Sequence, residues 1–308
     1  MQILVLGAAA GGGFPQWNCN CSSCNRARAD DPAARARTQS SLAVSDDGVR
    51  WLLLNASPDL RQQILVTPQL HSRGGIRGSP IAGVVLTNGD VDHIAGLLSL
   101  RESQPLAIYA AQRVLDVLKS NPIFNILSPD CVVRCVVPLD TPMALTEQNG
   151  APLGLTVTAF GVPGKIALYL EDASAGPGLG TQPGDTIGLE LSGSDGSRFF
   201  YLPGCAAMPP ELASRLQGAP LIFFDGTLWR DDEMIAVGAG AKTGKRMGHM
   251  SMSGEHGSIA ALAELGIERK IFVHMNNTNP VLLSDSPEHG KAKAAGWEIA
   301  YDGMEIRL

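Results

Sequence analysis

Basic residues are scarce in this chain, and those present are scattered. Its 308 residues include 24 Lys and Arg against 30 Asp and Glu, a net charge of −6. Nucleic acid and anionic membrane surfaces both reward clustered positive charge, so neither is the principal partner expected here. Long apolar runs are also missing. No segment reaches the ~18 to 20 uninterrupted apolar residues of a spanning helix. The opening Met1-Gln2-Ile3-Leu4-Val5-Leu6-Gly7 has no positive charge before its apolar stretch and does not read as a secretory signal. Six cysteines are too few for a disulfide scaffold, and three of them crowd into Cys19, Cys21 and Cys24. In a reducing cytoplasm, the compartment expected for this chain, such a cluster more often means metal than disulfide.

What is present points to a folded enzyme-like body. Hydrophobic residues make up 44% and charged residues 18%, which supports a sizeable core and excludes disorder as the main state. The 35 Gly and 20 Pro imply many loops and tight turns. Short runs rich in Val, Ile and Leu read as strands over Gln2–Leu6, Ser41–Ser45, Trp51–Asn55, Gly83–Thr87, Leu155–Phe160, Ile187–Leu191, Phe199–Leu202, Leu221–Phe224 and Lys270–Val273. Asp302-Gly303, between Glu298–Tyr301 and Glu305–Leu308, is a hairpin signal. Helical patterns fall over Leu60–Val66, Ala95–Arg101, Ala111–Lys119, Pro209–Leu216 and Ser253–Leu265, the last with Ser253 as its cap. Two strand-rich halves decorated by helices suggest one domain, residues 1–308, with two sheets between helical layers. A doubly wound parallel sheet is the competitor. The glycines from Gly7 to Gly13 lack the G-x-G-x-x-G order, so a dinucleotide site is not expected there.

Three stretches carry chemistry. Cys19-Asn20-Cys21-Ser22-Ser23-Cys24 can fill three corners of a zinc tetrahedron in a loop over about residues 14–30, with a fourth ligand from elsewhere. Cys131 and Cys135 sit in apolar runs that read as core. Asn88-Gly89-Asp90-Val91-Asp92-His93 follows a buried strand, and Phe272-Val273-His274 ends another. Strand-end donors of this kind aim into one cleft, although Asp92 alone reads equally well as a helix cap. His249 lies in a Gly-rich loop, whereas His71, His256 and His289 have no such context.

The strand-end Thr87…Asp92-His93, the Gly248-His249-Met250-Ser251 loop and the strand-end His274 resemble the metallo-β-lactamase superfamily in order and spacing. That resemblance runs over nearly the whole chain and implies an α/β fold, an αββα sandwich of two mixed sheets between helical layers. Gly204-Cys205 looks like the superfamily's Gly-Asp turn. Within the superfamily, the opening Gly-Gly-Gly-Phe-Pro-Gln-Trp-Asn-Cys, Asn88 to His93 and His274-Met275-Asn276-Asn277-Thr278-Asn279-Pro280 resemble the branch that serves pyrroloquinoline quinone (PQQ) biosynthesis.

The departures are informative. Dinuclear hydrolases of the superfamily carry His-x-His-x-Asp-His, and Asn88 and Asp90 replace the first two histidines. Val162-Pro163-Gly164-Lys165 supplies no later histidine, and Cys205 stands at the bridging carboxylate. What survives is Asp92, His93 and His274, the composition of a mononuclear Fe(II) oxygenase site, which zinc could also fill. Asp90 is a further ligand or an acceptor for an imidazole N–H. The tRNA-processing branch implies His249 as an acid/base group with Asp225 as its partner. A phosphodiesterase branch implies a zinc ligand at Asn277, so His249, His256, Asn277 and water compete as the fourth ligand of the Cys cluster.

The resemblance implies O2-dependent hydroxylation of the tyrosine ring of a peptide-derived Glu–Tyr-type precursor. The rivals are a non-catalytic carrier moving PQQ or its precursor towards the periplasm and a metal-dependent hydrolase.

Overall fold

The computed structural model describes residues 1–175 and 180–308. Among these, the strands are β1 Gln2–Gly7, β2 Ser41–Ser45, β3 Trp51–Leu54, β4 Ile81–Leu86, β5 Leu106–Ala110, β6 Val132–Val136, β7 Met143–Thr146, β8 Pro152–Gly161, β9 Ile187–Gly193, β10 Arg198–Leu202, β11 Leu221–Asp225, β12 Arg269–Val273, β13 Trp297–Ile299 and β14 Glu305–Arg307. The helices are α1 Ser22–Arg28, α2 Leu60–Val66, α3 Val91–Ile94, α4 Gln112–Ser120, α5 Pro210–Leu216, α6 Glu233–Ala236, α7 Ser258–Ala261 and α8 Pro287–Ala294.

The strands form two seven-stranded sheets, in the orders β14-β1-β2-β3-β4-β5-β6 and β13-β12-β11-β10-β9-β8-β7. Both are mixed. β3 to β6 run parallel in the first, and β10 to β13 run parallel in the second. Alternation along the strands explains the layering. Leu4, Leu6, Trp51 and Leu53 join a cluster with Leu60, Val114 and Leu118 of the covering helices. Their neighbours Ile3, Val5, Leu52 and Leu54 instead join a second cluster with Leu155, Val157 and Leu189 of the facing sheet. A Leu-rich strand between two apolar layers is therefore buried on both faces.

Several local expectations are corrected. Asp302-Gly303 makes no hairpin, because β13 and β14 lie at the edges of different sheets. The turn carries the chain from one sheet to the other, and Asp302 holds it by accepting from Ala8 N at 3.1 Å, Thr38 N at 2.6 Å and Thr38 Oγ1 at 2.7 Å. Ser253 caps nothing. Its hydroxyl donates to Trp229 O, and the helix starts only after Gly257. Ala95–Leu100 is 3-10 helix and not α-helix. Cys131 and Cys135 are half-buried, Cys135 because it sits on the edge strand β6. No helix of the described residues is long and apolar enough to cross a membrane.

Candidate metal centre

The C-terminal ends of β4, β11 and β12 converge from the two sheets on one cavity of about 570 Å3. Strand pairing extended past the sheets holds them there. Ala10 N donates to Met275 O at 2.8 Å, and Met275 N donates to Ala8 O at 3.0 Å.

Asp92, His93 and His274 meet in this cavity, with one donor atom from each lying within 4.8 Å of the others. His93 Nδ1–H donates to Asn88 Oδ1 at 2.7 Å, an oxygen that also accepts from Asp90 N at 2.9 Å. His93 Nε2 therefore carries a lone pair, and it is buried with no hydrogen-bond partner. An orphaned imidazole nitrogen beside a carboxylate is the signature expected of a metal ligand. Burial pulls the His93 pKa down to about 4, against the opposing charge of Asp92, which keeps the ring neutral and ready to ligate.

His274 is tied from behind in the same way. Thr227 Oγ1 donates to Asp225 Oδ1 at 2.6 Å and lies 2.9 Å from His274 Nδ1, so the ring donates Nδ1–H to the hydroxyl and turns Nε2 towards Asp92 Oδ2 at 3.1 Å. His274 adopts φ 57°, a left-handed conformation uncommon for a residue with a side chain. Burial alone would lower the His274 pKa and raise that of Asp92. The neighbouring groups win: Asp92 lifts His274, and the His93 and His274 rings beside it hold Asp92 well below the usual carboxylate range. A proton is thus held where these two donors face one another, in a place equally suited to a cation. Gly11 allows the approach, since a Cβ there would stand 3.3 Å from Asp92 Oδ2.

His249 and Asp225 are also brought together. His249 Nδ1–H donates to Asp225 Oδ2 at 2.7 Å, and the ring stacks on His274 at a centroid separation of 5.2 Å. Asp225 is fully buried and accepts further from Cys205 N, Thr227 N and Thr227 Oγ1. With its lone pairs so committed, Asp225 orients the imidazole and has little left for a metal.

Asp90 is the misplaced member of the expected set. It lines the cavity, but its Oδ1 faces Lys165 Nζ at 3.5 Å and accepts from Leu168 N at 3.2 Å. The imidazole acceptor is Asn88. Cys205 is buried, donates to Ala207 O at 3.1 Å and has its thiol pKa pushed up to about 12, mainly by burial, so it is inert.

The sulfurs of Cys19, Cys21 and Cys24 cluster within 4.8 Å, as a zinc site requires. Burial pushes the Cys21 thiol up to about 11, and Cys21 Sγ accepts from Cys24 N across the first turn of α1. Among the competing fourth groups, Asn277 is the one beside them, its Nδ2 lying 3.1 Å from Cys19 Sγ and 3.4 Å from Cys24 Sγ. His249 belongs to the cleft, and His256 is exposed and joins no described cluster. An amide ligates through oxygen, so a metal held here requires the Asn277 side chain to present Oδ1.

Sequence reasoning missed Asn88, Thr227 and Gly11 as parts of the site. Asn88 pairs with His93 within one strand-end loop, five residues apart, whereas the pairing of Thr227 with His274 appears only once the strand ends are folded together.

Two sheets between helical layers, with polar clusters on adjoining strand ends, define the β-lactamase superfamily architecture, and the family model of the beta-lactamase superfamily domain matches residues 50–275. The coenzyme PQQ synthesis protein B of Gluconacetobacter diazotrophicus is 56% identical over 99% of both chains. The crystal structure of Zn2+-bound PqqB from Methylobacterium extorquens superposes with a TM-score of 0.94 at 51% identity, covering 100% of each chain. A diphosphatase of the PhnP family, 21% identical with a TM-score of 0.67 over 100% of this chain and 97% of that one, shares the fold alone. The chain belongs to the coenzyme PQQ synthesis protein B family of the β-lactamase superfamily.

Proposed function

We propose that this chain acts in PQQ biosynthesis as a metal-dependent oxygenase that hydroxylates the tyrosine ring of a peptide-derived Glu–Tyr-type precursor. The observation that carries the reading is the convergence of Asp92, His93 and His274 at an open cavity, with His274 Nε2 at 3.1 Å and His93 Nε2 at 3.9 Å from Asp92 Oδ2. Two imidazoles and one carboxylate are a donor set that would suit Fe(II). A second metal lacks support, because Asn88 is occupied with His93 and, among the described residues, Asp90 joins no cluster of metal-binding donors.

An iron ion held by these residues would supply the redox chemistry of O2. The overall change inserts one oxygen atom of O2 into an aryl C–H bond and releases the other as water, with two protons and two electrons drawn from an external reductant. The chain's own residues do the rest. Asn88 and Thr227 hold the two ligand imidazoles with Nδ1 protonated. His249, oriented by Asp225, carries a proton to or from the ring hydroxyl at Nε2. Zinc at Cys19, Cys21, Cys24 and Asn277 would brace the loop beside the cavity.

The test is removal of one ligand at a time. Asp92→Ala, His93→Ala and His274→Ala each lose cleft iron and O2-dependent hydroxylation together, while His249→Ala keeps the iron and slows turnover. Hydroxylation that survives His274→Ala would defeat the assignment.

A further inference from the structure

The cavity carries a cation that the proposed oxygenation does not use. Lys165 Nζ lies inside it with its side chain about one-fifth exposed (19%). Its protein contacts are long, 3.5 Å to Asp90 Oδ1 and 3.3 Å to Ile166 O. Charge-assisted N–H···O contacts run nearer ~2.8 Å, so both are weak. An ammonium has three donors, and among the described residues no closer partner faces it.

The other cation lining the cavity, Lys242, is turned to the rim, where it lies 3.9 Å from Glu171 with its side chain about two-fifths exposed. Lys165 is instead fixed from behind. Gly248 adopts φ +88°, and a Cβ at that position would stand 3.0 Å from Lys165 Cγ. The residue just before His249 is thereby shaped to the lysine stem. Leu168, Met234 and Met247 line the same cavity and offer apolar surface of the kind that accepts an aromatic ring.

We propose that Lys165 is the carboxylate-recognition residue of this cavity. It receives a free carboxylate of an amino-acid-derived substrate whose phenol ring lies against that apolar surface. The inference deepens the reading given above and rests on it for the substrate class. The substrate is then an acid, and a neutral amide of the same shape binds poorly.

Binding to the full-length protein loaded with redox-silent zinc tests this apart from oxygenation. Calorimetric titration with the dipeptide Glu–Tyr is compared with its fully amidated analogue. The wild-type protein prefers the acid by about tenfold or more, as a charge-assisted contact provides. Lys165→Met lowers affinity for the acid to that for the amide, leaves the amide unchanged and keeps the metal content. Lys165→Arg retains most of the preference, which separates lost charge from lost folding. Equal binding of acid and amide by the wild-type protein overturns the proposal, as do no binding of either and an equal loss of both in Lys165→Met. Acid-selective binding without any oxygenation by the iron-loaded protein would sink the oxygenase reading and leave Lys165 in its role.

Discussion

Asn88 Oδ1 accepts from His93 Nδ1–H at 2.7 Å, and that one contact decides what His93 can do. It fixes the tautomer, points the lone pair of Nε2 into the cavity and leaves that atom buried without a partner. Replacing Asn88 by Ala frees the ring and the tautomer. Affinity for the cleft metal should fall by about 10- to 100-fold, the usual effect of losing a ligand's supporting hydrogen bond. Metal titration followed by elemental analysis checks this, and an unchanged affinity refutes it.

Thr227 does the same for His274 and adds a bond to Asp225. Thr227→Val keeps the shape and removes the hydroxyl, stranding buried polar atoms on both partners. The expected loss is about 1–3 kcal/mol of stability with weakened metal binding, and Thr227→Ser restores both. Chemical denaturation of the two variants tests the claim, and a valine variant as stable as wild type contradicts it.

Proton competition gives a pH dependence with a definite sign. In protein whose cleft is free of metal, the folded pKa of His93 is about 4, below its ordinary 6.5. As pH falls through 6.5 the unfolded chain takes up this proton first, so stability due to His93 is present above 6.5 and lost towards 4. His274, shifted upwards, has the opposite sign. Its contribution is full below 6.5 and fades as pH rises through its folded value. Melting curves of wild type and His93→Gln across pH 4 to 7 should show the wild-type advantage shrinking with acid. A constant difference would show that His93 is not the buried neutral group described.

At the Cys loop, Asn277→Ala should weaken zinc retention against a chelator, while Asn277→Asp, which supplies an oxygen donor, keeps it. Elemental analysis after chelator dialysis decides between Asn277 and water as the fourth ligand. Equal retention in wild type and Asn277→Ala assigns the position to water.

The sandwich was legible in the sequence where strands are buried on both faces and bounded by turn residues, as at Ile81–Leu86 and Leu221–Asp225. The edge strands Val132–Val136 and Met143–Thr146 were not, because their half-exposed side chains blur the period of two. Asp92, His93, His274, Cys19, Cys21 and Cys24 stood out because few other residue types offer metal-binding atoms. Thr227 and Lys165 serve through a partner distant in sequence or through the cavity they face, and no local pattern marks them, whereas Asn88 stands in the motif of His93 and only its hydrogen bond there reveals its part. Asp302-Gly303 fails for a related reason. A turn signal says that the chain reverses, and the choice of sheet for the next strand depends on the Asp302 bonds to Ala8 and Thr38.

Isotope incorporation tests the mononuclear oxygenase site most directly. Protein purified without oxygen, loaded with Fe(II) and supplied with Glu–Tyr, a reductant and 18O2, should give a product heavier by one labelled oxygen atom per ring hydroxylated. Elemental analysis of the same sample should show about one iron in the cleft, as the Asp92, His93 and His274 donor set requires. Iron bound at that ratio with no label in the dipeptide would contradict the account and leave a carrier as the better reading.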